Sequence, residues 1–208
     1  MAHASTLVID ASGSAALLCL VEAGEVLASV QMAQRQQSRM LAVSMQDLCR
    51  QGKRSWSDVE RFLYVHGPGS FTGLRIAAAT LNGVNTALAR PVAYVSSLAV
   101  SAIACGDDEP HWVLEDARAG EVFVGHYHGV NALQDDTCLA WSELDGAVIG
   151  DYTGTQSCAA YFSTGDFKVA TMDRMDALAK VSLLSLSTQR HACPCYVQRS
   201  QAERNQDG

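Results

Sequence analysis

The chain has 208 residues, 48% of them hydrophobic and 18% charged, with a formal net charge of −7. That balance excludes a disordered chain, which cannot bury enough apolar surface to offset its ordering entropy, and the length suffices for one large domain or two small lobes with cores of their own. An acidic surface repels phosphate, so direct non-specific nucleic-acid binding by this chain alone is not expected.

Met1-Ala2-His3-Ala4-Ser5 leads into an apolar strand with no basic region before it, so no signal peptide is expected. The longest uncharged run, 91–106, is too short for a bilayer. Seven cysteines, an odd number, sit in apolar contexts such as Cys19 and Cys105. They read as reduced thiols of a cytoplasmic protein with no membrane contact.

Residues 6–10 form the first predicted strand, and Asp10-Ala11-Ser12-Gly13-Ser14 turns it into a second over 15–21. Glu22-Ala23-Gly24-Glu25 turns again into 26–31, giving an antiparallel meander. Met40, Leu41, Ser44, Met45 and Leu48 recur at helical spacing, which predicts a helix over about 33–51 with Gly52 as its stop. A strand at 61–65, a glycine loop, a helix and a strand at 92–95 complete a β-β-β-α-β-α-β lobe over residues 1–106.

The loop, Gly67-Pro68-Gly69-Ser70-Phe71-Thr72-Gly73-Leu74-Arg75, leaves an apolar strand and enters a helix almost free of charge. No Asp or Glu occurs between Arg61 and Gly106, and Arg75 is the only charge between Gly67 and Ala89. A soluble helix normally shows one apolar stripe and one charged face. This one is apolar or small nearly all round, so either the chain buries it fully or a partner does. Ala79, Gly83 and Ala87 recur in four-residue steps, which puts three small residues on one face and admits the backbone of another helix.

After Gly106-Asp107-Asp108-Glu109-Pro110 the pattern begins again. A strand from Trp112, an aspartate at Asp116, a polar turn and a strand over 122–128 repeat the arrangement around Asp10. This predicts a second, smaller lobe over 107–208, with a strand at Val148-Ile149-Gly150, a helix over 172–186 and a polar tail from 200. Two such lobes facing a cleft are the architecture of the actin, sugar-kinase and heat-shock-chaperone ATPases.

The candidate chemistry is sparse. Glycine-rich turns into helices can cradle phosphate, but G-x-G-x-x-x-G is one residue longer than the dinucleotide fingerprint, Pro68 lacks a donor, and no Gly-Lys-Ser/Thr follows. The alternative role is a tight turn with Ser70 or Thr72 capping the helix. A Ser70 nucleophile lacks both the G-x-S-x-G order and a His-Asp pair. Asp10 and Asp116 could hold hydrated magnesium in a cleft or could each close a hairpin. His126 and His128 alternate on one strand without a third ligand, and only His66, beside the loop, is placed for function. Cys193-Pro194-Cys195 is half a metal clamp without a second half, so no metal is expected.

The segment 67–75, the helix containing Gly83 and Val95-Ser96-Ser97-Leu98 closely resemble the signature of the bacterial TsaB (YeaZ) family. Asp116-Ala117-Arg118-Ala119-Gly120-Glu121-Val122-Phe123, Val8-Ile9-Asp10-Ala11-Ser12 and Pro194-Cys195-Tyr196-Val197-Gln198-Arg199 are similar to three further segments of that family. The match is strong over about residues 5–128 and thin beyond. It implies an α/β, two-lobed actin-like ATPase (ASKHA, ribonuclease H-like) fold with a reduced second lobe. It also implies a role in making threonylcarbamoyladenosine beside the anticodon of tRNA, as a non-catalytic subunit reaching tRNA only through a complex. In that family TsaD carries the metal and transfers the group, TsaE is an ATPase, and TsaB pairs with TsaD or itself through helices of the first lobe.

Carried onto this chain, the implied partner interface is Gly73, Ile76, Ala79, Thr80, Gly83, Val84 and Ala87. A vestigial nucleotide cleft would involve Asp10, Ser12, Asp116 and Arg118. No catalytic residue and no resident cofactor are implied, a nucleotide at a heteromer interface being the exception. The chain departs from common family members at Gln36-Gln37-Ser38, where a His often begins the first helix motif, and in its shortened second lobe. The competing reading is an independent nucleotide-binding ATPase or M22-type peptidase-like hydrolase using Asp10 and the Gly67 loop.

Overall fold

A computed structural model describes residues 5–106, 109–144, 152–154, 158, 161–162 and 167–198. The chain divides into two compact units, Met1–Ser97 with Leu178–Cys195, and Leu98–Ala177 with Tyr196–Gly208. The division thus falls before the expected boundary at 106/107, and residues 178–195, expected in the second lobe, pack with the first unit.

In the first unit β1 (Ser5–Asp10), β2 (Ala15–Glu22) and β3 (Glu25–Ala33) form the expected antiparallel meander. A single 3-10 turn, Gln34–Gln36, precedes α1 (Gln37–Gln51), so the helix starts four residues later than its spacing suggested. Then come β4 (Val59–Val65), α2 (Phe71–Leu88) and β5 (Val92–Val95). β1 pairs in parallel with β4, and β4 with β5. All six residues of β1 are buried, as a central strand covered on both faces requires. One sheet face buries Leu7, Ile9, Leu18, Leu20, Phe62 and Tyr64 against Leu41, Met45 and Leu48 of α1 and Ala77, Ala78 and Leu81 of α2. Both helices therefore lie on the same side of the sheet, packed on each other, with their remaining faces directed away from it.

The uncharged run at 91–106 holds a helix that the sequence did not reveal, α3 (Ser97–Cys105). It carries no charge and only two serines, so no polar face marks its period. In the second unit β6 (His111–Arg118) and β7 (Glu121–His128) form the expected returning hairpin. The short strands β8 (Asn131–Ala132) and β9 (Thr137–Ala140) pair with β7. β10 (Tyr152–Gly154) pairs in parallel with β6, and β11 (Phe167–Val169) with β10. α4 (Arg174–Val181) is the core of the helix expected at 172–186. The strand expected at 148–150 and the tail beyond 198 lie outside the described residues.

The two sheets share a strand order. The first reads β5-β4-β1-β2-β3 and the second β11-β10-β6-β7-β8, each with a central antiparallel hairpin and two parallel strands beside it. This internal repeat is that of the two-lobed actin-like fold. A final strand, β12 (Thr188–Gln189), adds antiparallel to β5 at the edge of the first sheet.

Candidate functional site

The Gly67 loop is held by backbone contacts on three sides. Ser70 N–H donates to Ser12 O at 2.6 Å, Ser97 N–H to Gly67 O at 2.8 Å, and Cys195 N–H to His66 O at 2.7 Å. The Ser97 hydroxyl donates to Pro68 O at 2.6 Å. These approaches explain two of the glycines. A Cβ on Gly67 (φ +117°) would stand 2.6 Å from Cys195 O, and one on Gly69 (φ +153°) 2.4 Å from Ser12 O. Ser70 is the N-cap of α2, its hydroxyl oxygen accepting from Gly73 N–H at 3.2 Å and from the Gln34 amide. The loop is thus a tight turn closed by a serine cap, with Gly67 and Gly69 against the protein's own backbone.

Asp10 ends β1 and Asp116 lies two residues before the end of β6, in different units. The Asp10 carboxylate, 2% exposed, accepts from Ser12 N–H at 2.9 Å and from the Ser12 hydroxyl at 2.6 Å. Together with burial it pushes the neighbouring Cys19 thiol up to about 12, burial being the larger cause. Asp116 is exposed and accepts from Arg118 N–H at 2.8 Å, closing a turn in which Arg118, Ala119 and Gly120 all have positive φ. Each carboxylate thus accepts from the backbone N–H two residues further on.

His66 is half-buried and edge-on to Tyr94, with ring centroids 5.9 Å apart. Burial holds its pKa below the ordinary value near 6.5. The unfolded chain therefore takes up a proton at His66 before the native state does, and stability is lost as pH falls below about 6.5. Urea midpoints measured between pH 7.5 and 5.5 are expected to drop, and to drop less in His66→Asn. His126 stacks on Trp112 at 4.4 Å, while His128 is exposed. Among the described residues no three His, Cys, Asp or Glu side chains are placed to share a metal ion. No described helix is long and apolar enough to cross a membrane.

Along α2 the buried positions are Gly73, Leu74, Ala77, Ala78, Leu81 and Asn85. Ile76 and Val84 are half-buried against the core, and Thr80 is half-buried. Ala79, Gly83 and Ala87 are exposed together with Thr72 and Arg75, and a Cβ on Gly83 would meet nothing within 4 Å. So only one side of the helix is packed, and the small-residue stripe is the open side. Gly73 does not belong to that stripe. Its Cβ position is 2.4 Å from Ala11 O, beneath the end of β1, which removes it from the exposed surface.

Several positioning residues carried no sequence signal. The Asn82 amide both donates to Ala192 O (2.9 Å) and accepts from Ala192 N–H (2.6 Å). Asn85 does the same with Arg90, at 2.9 and 2.8 Å. The Tyr94 hydroxyl donates to His191 O. The Asn82 and Tyr94 contacts, with an Asn85 amide donation to Arg190 O at 3.4 Å, fasten the returning segment to α2 and β5. Gln37 at the start of α1 is 1% exposed, and neither atom of its amide has a hydrogen-bond partner among the described residues.

The family model described as TsaD, tRNA N6-adenosine threonylcarbamoyltransferase, matches residues 26–192. The tRNA threonylcarbamoyladenosine biosynthesis protein TsaB of Escherichia coli (strain K12) is 32% identical over 124 residues, covering 58% of this chain and 54% of that protein. The protein of the same description from Haemophilus influenzae is 27% identical over 126 residues, covering 59% and 53%. The chain spans about half the length of the curated relatives it matches. Among solved structures, YeaZ from Pseudomonas aeruginosa superposes with a TM-score of 0.72 at 24% identity, over 93% of this chain and 99% of that one. A P. aeruginosa protein described as similar to peptidase YEAZ gives 0.75 at 24%, over 94% and 100%. At such identity these two show the fold.

Proposed function

Since the chain belongs to the family described as TsaD, tRNA N6-adenosine threonylcarbamoyltransferase, and within it to the TsaB (YeaZ) group, we propose that it is a non-catalytic subunit of the complex that makes threonylcarbamoyladenosine in tRNA. The observation that carries the subunit reading is the outer side of α2, where Ala79, Gly83 and Ala87 stay exposed in an isolated chain. A helix face of small uncharged residues gains little from water and admits a partner backbone closely. The partner is the TsaD subunit. TsaE engages the assembled pair, a homodimer through the same helices is the alternative assembly, and tRNA is reached through the complex in the cytoplasm.

The competing nucleotide-hydrolase reading needs Asp10 to orient a metal ion or water. Its carboxylate is buried and already accepts two hydrogen bonds from Ser12, and the loop's Ser70 hydroxyl is committed to capping α2. The purified chain is therefore expected neither to hydrolyse ATP nor to modify tRNA alone, and co-purification with TsaD is expected to restore modification in a reconstituted system. Steady ATP turnover by the isolated chain, abolished in Asp10→Ala, would reverse the assignment.

A further inference from the structure

Of the seven cysteines only Cys193 and Cys195 stand a single residue apart, on either side of Pro194. The others offer no second pair of this kind. Cys19, Cys49 and Cys158 are buried, and burial pushes the Cys19 thiol up to about 12 and raises that of Cys49. Cys105 and Cys138 are half-buried and far apart in sequence. Cys193 is exposed and Cys195 half-buried, so one thiol meets solvent and its neighbour is sheltered.

Chain geometry brings the two within bonding reach. Two residues at full extension span about 6.6–7.2 Å between Cα atoms, and Pro194, with φ fixed at about −65°, holds the segment short of that limit. A disulfide requires a Cα separation of about 4.4–6.8 Å. The Cys193 Sγ lies 3.9 Å from the Pro194 carbonyl oxygen, and the carbon of that carbonyl bonds directly to the Cys195 nitrogen. The sulfur is therefore turned toward the side of the chain where Cys195 begins.

The backbone around the pair is clamped. The Tyr94 hydroxyl donates to His191 O, Ala192 is tied both ways to the Asn82 amide, and Cys195 N–H donates to His66 O at 2.7 Å. Cys195 O in turn lies where a Cβ on Gly67 would come within 2.6 Å. A change of backbone at 193–195 is thus passed to the His66–Gly67 turn.

We propose that Cys193 and Cys195 form a thiol–disulfide exchange site for small-molecule disulfides of the glutathione class, with Cys193 as the attacking thiol and Cys195 as the resolving one, and that closing their disulfide loosens the Cys195 contact to the His66–Gly67 turn. Cys193 gives its proton to solvent and attacks one sulfur of the incoming disulfide. A bond from Cys193 to glutathione forms as the sulfur–sulfur bond of the small molecule breaks, and the first glutathione leaves as a thiolate that takes up a proton. Cys195 then loses its proton and attacks the Cys193 sulfur, forming the Cys193–Cys195 bond and expelling the second glutathione in the same way. Two protein thiols are oxidised and one disulfide is reduced to two thiols. The product ring spans only the two cysteines and Pro194, and a ring so small is strained, which makes its bond easy to reduce again.

The experiment treats the full native chain with glutathione disulfide and then with dithiothreitol, blocks the remaining thiols, and weighs the tryptic peptide 191–199, which carries both cysteines and no other. That peptide is expected to lose the mass of two hydrogens and to regain it on reduction, while the peptides of Cys19, Cys49 and Cys158 stay unchanged. Cys195→Ser should stop at a stable glutathione adduct on Cys193, and Cys193→Ser should react about tenfold more slowly than the unsubstituted chain because only the sheltered thiol remains. In the oxidised chain the Cys195 amide should exchange hydrogen about tenfold faster than in the reduced chain, as read by NMR. A stable glutathione adduct on Cys193 of the unsubstituted chain, a 193–195 disulfide that appears only in urea, or a bond from Cys193 to Cys105 or Cys138 would each overturn the exchange site. Unaltered exchange at the Cys195 amide after oxidation would overturn its coupling to the turn.

Discussion

Gly83→Arg is expected to leave the chain folded and to abolish its association with TsaD. In the isolated chain a side chain at this position enters open solvent, and arginine is a better helix former than glycine by about 0.8–1 kcal/mol, so the monomer should be slightly stabilised. In a complex where a partner helix packs over Ala79, Gly83 and Ala87, the same side chain would be buried without a counter-charge at a cost of several kcal/mol, lowering affinity by about a thousandfold or more. Circular dichroism should be unchanged, and size-exclusion chromatography with TsaD should show two separate peaks. Ala79→Glu, one turn earlier on the same line, is expected to behave alike. A complex that survives in both variants would remove α2 from the interface.

Replacing each of the two glycines of α2 by alanine should move stability in opposite directions. On propensity alone either change favours the helix by about 1 kcal/mol. At Gly83 nothing opposes that gain, and the urea midpoint should rise accordingly. At Gly73 the new Cβ would stand 2.4 Å from the carbonyl oxygen of Ala11, a backbone atom held in place by the neighbouring Ser12 contacts to Asp10 and Ser70. The steric cost exceeds the propensity gain, and a net loss of about 2–4 kcal/mol is expected. A Gly73→Ala variant as stable as the unsubstituted chain would mean that the end of β1 yields freely.

What could be read from the residues alone followed from how local each signal is. The meander over β1 to β3 announced itself through unbroken apolar runs separated by Asp/Ser/Gly and Glu/Gly turns, and the hairpin at Asp116 through its likeness to the one at Asp10. Those same likenesses supported the family and the repeated actin-like fold. The direction in which α2 faces was not legible, because a helix with one charge has no polar stripe to orient it. It is fixed by Ser70, Asn82 and Asn85, whose partners lie up to 110 residues away. Gly73 entered the expected interface through the resemblance alone, and no local signal told that its Cβ position lies against Ala11 O. The helix α3 offered no period, and β10 and β11 have three residues each and gain their identity only from non-local pairing.

The return of residues 178–195 to the first unit also sets an order of events during synthesis. A ribosome delivers the meander, α1, β4, α2 and β5 early, and an N-terminal lobe ordinarily closes as soon as it has emerged. Here β5 is left as an open sheet edge, and Asn82 and the His66 carbonyl lack their partners, until β12 and the segment through Cys195 leave the exit tunnel. Between the emergence of β5 and that of β12 the nascent chain therefore displays an unpaired edge strand beside an apolar helix, the combination on which unintended strand pairing begins.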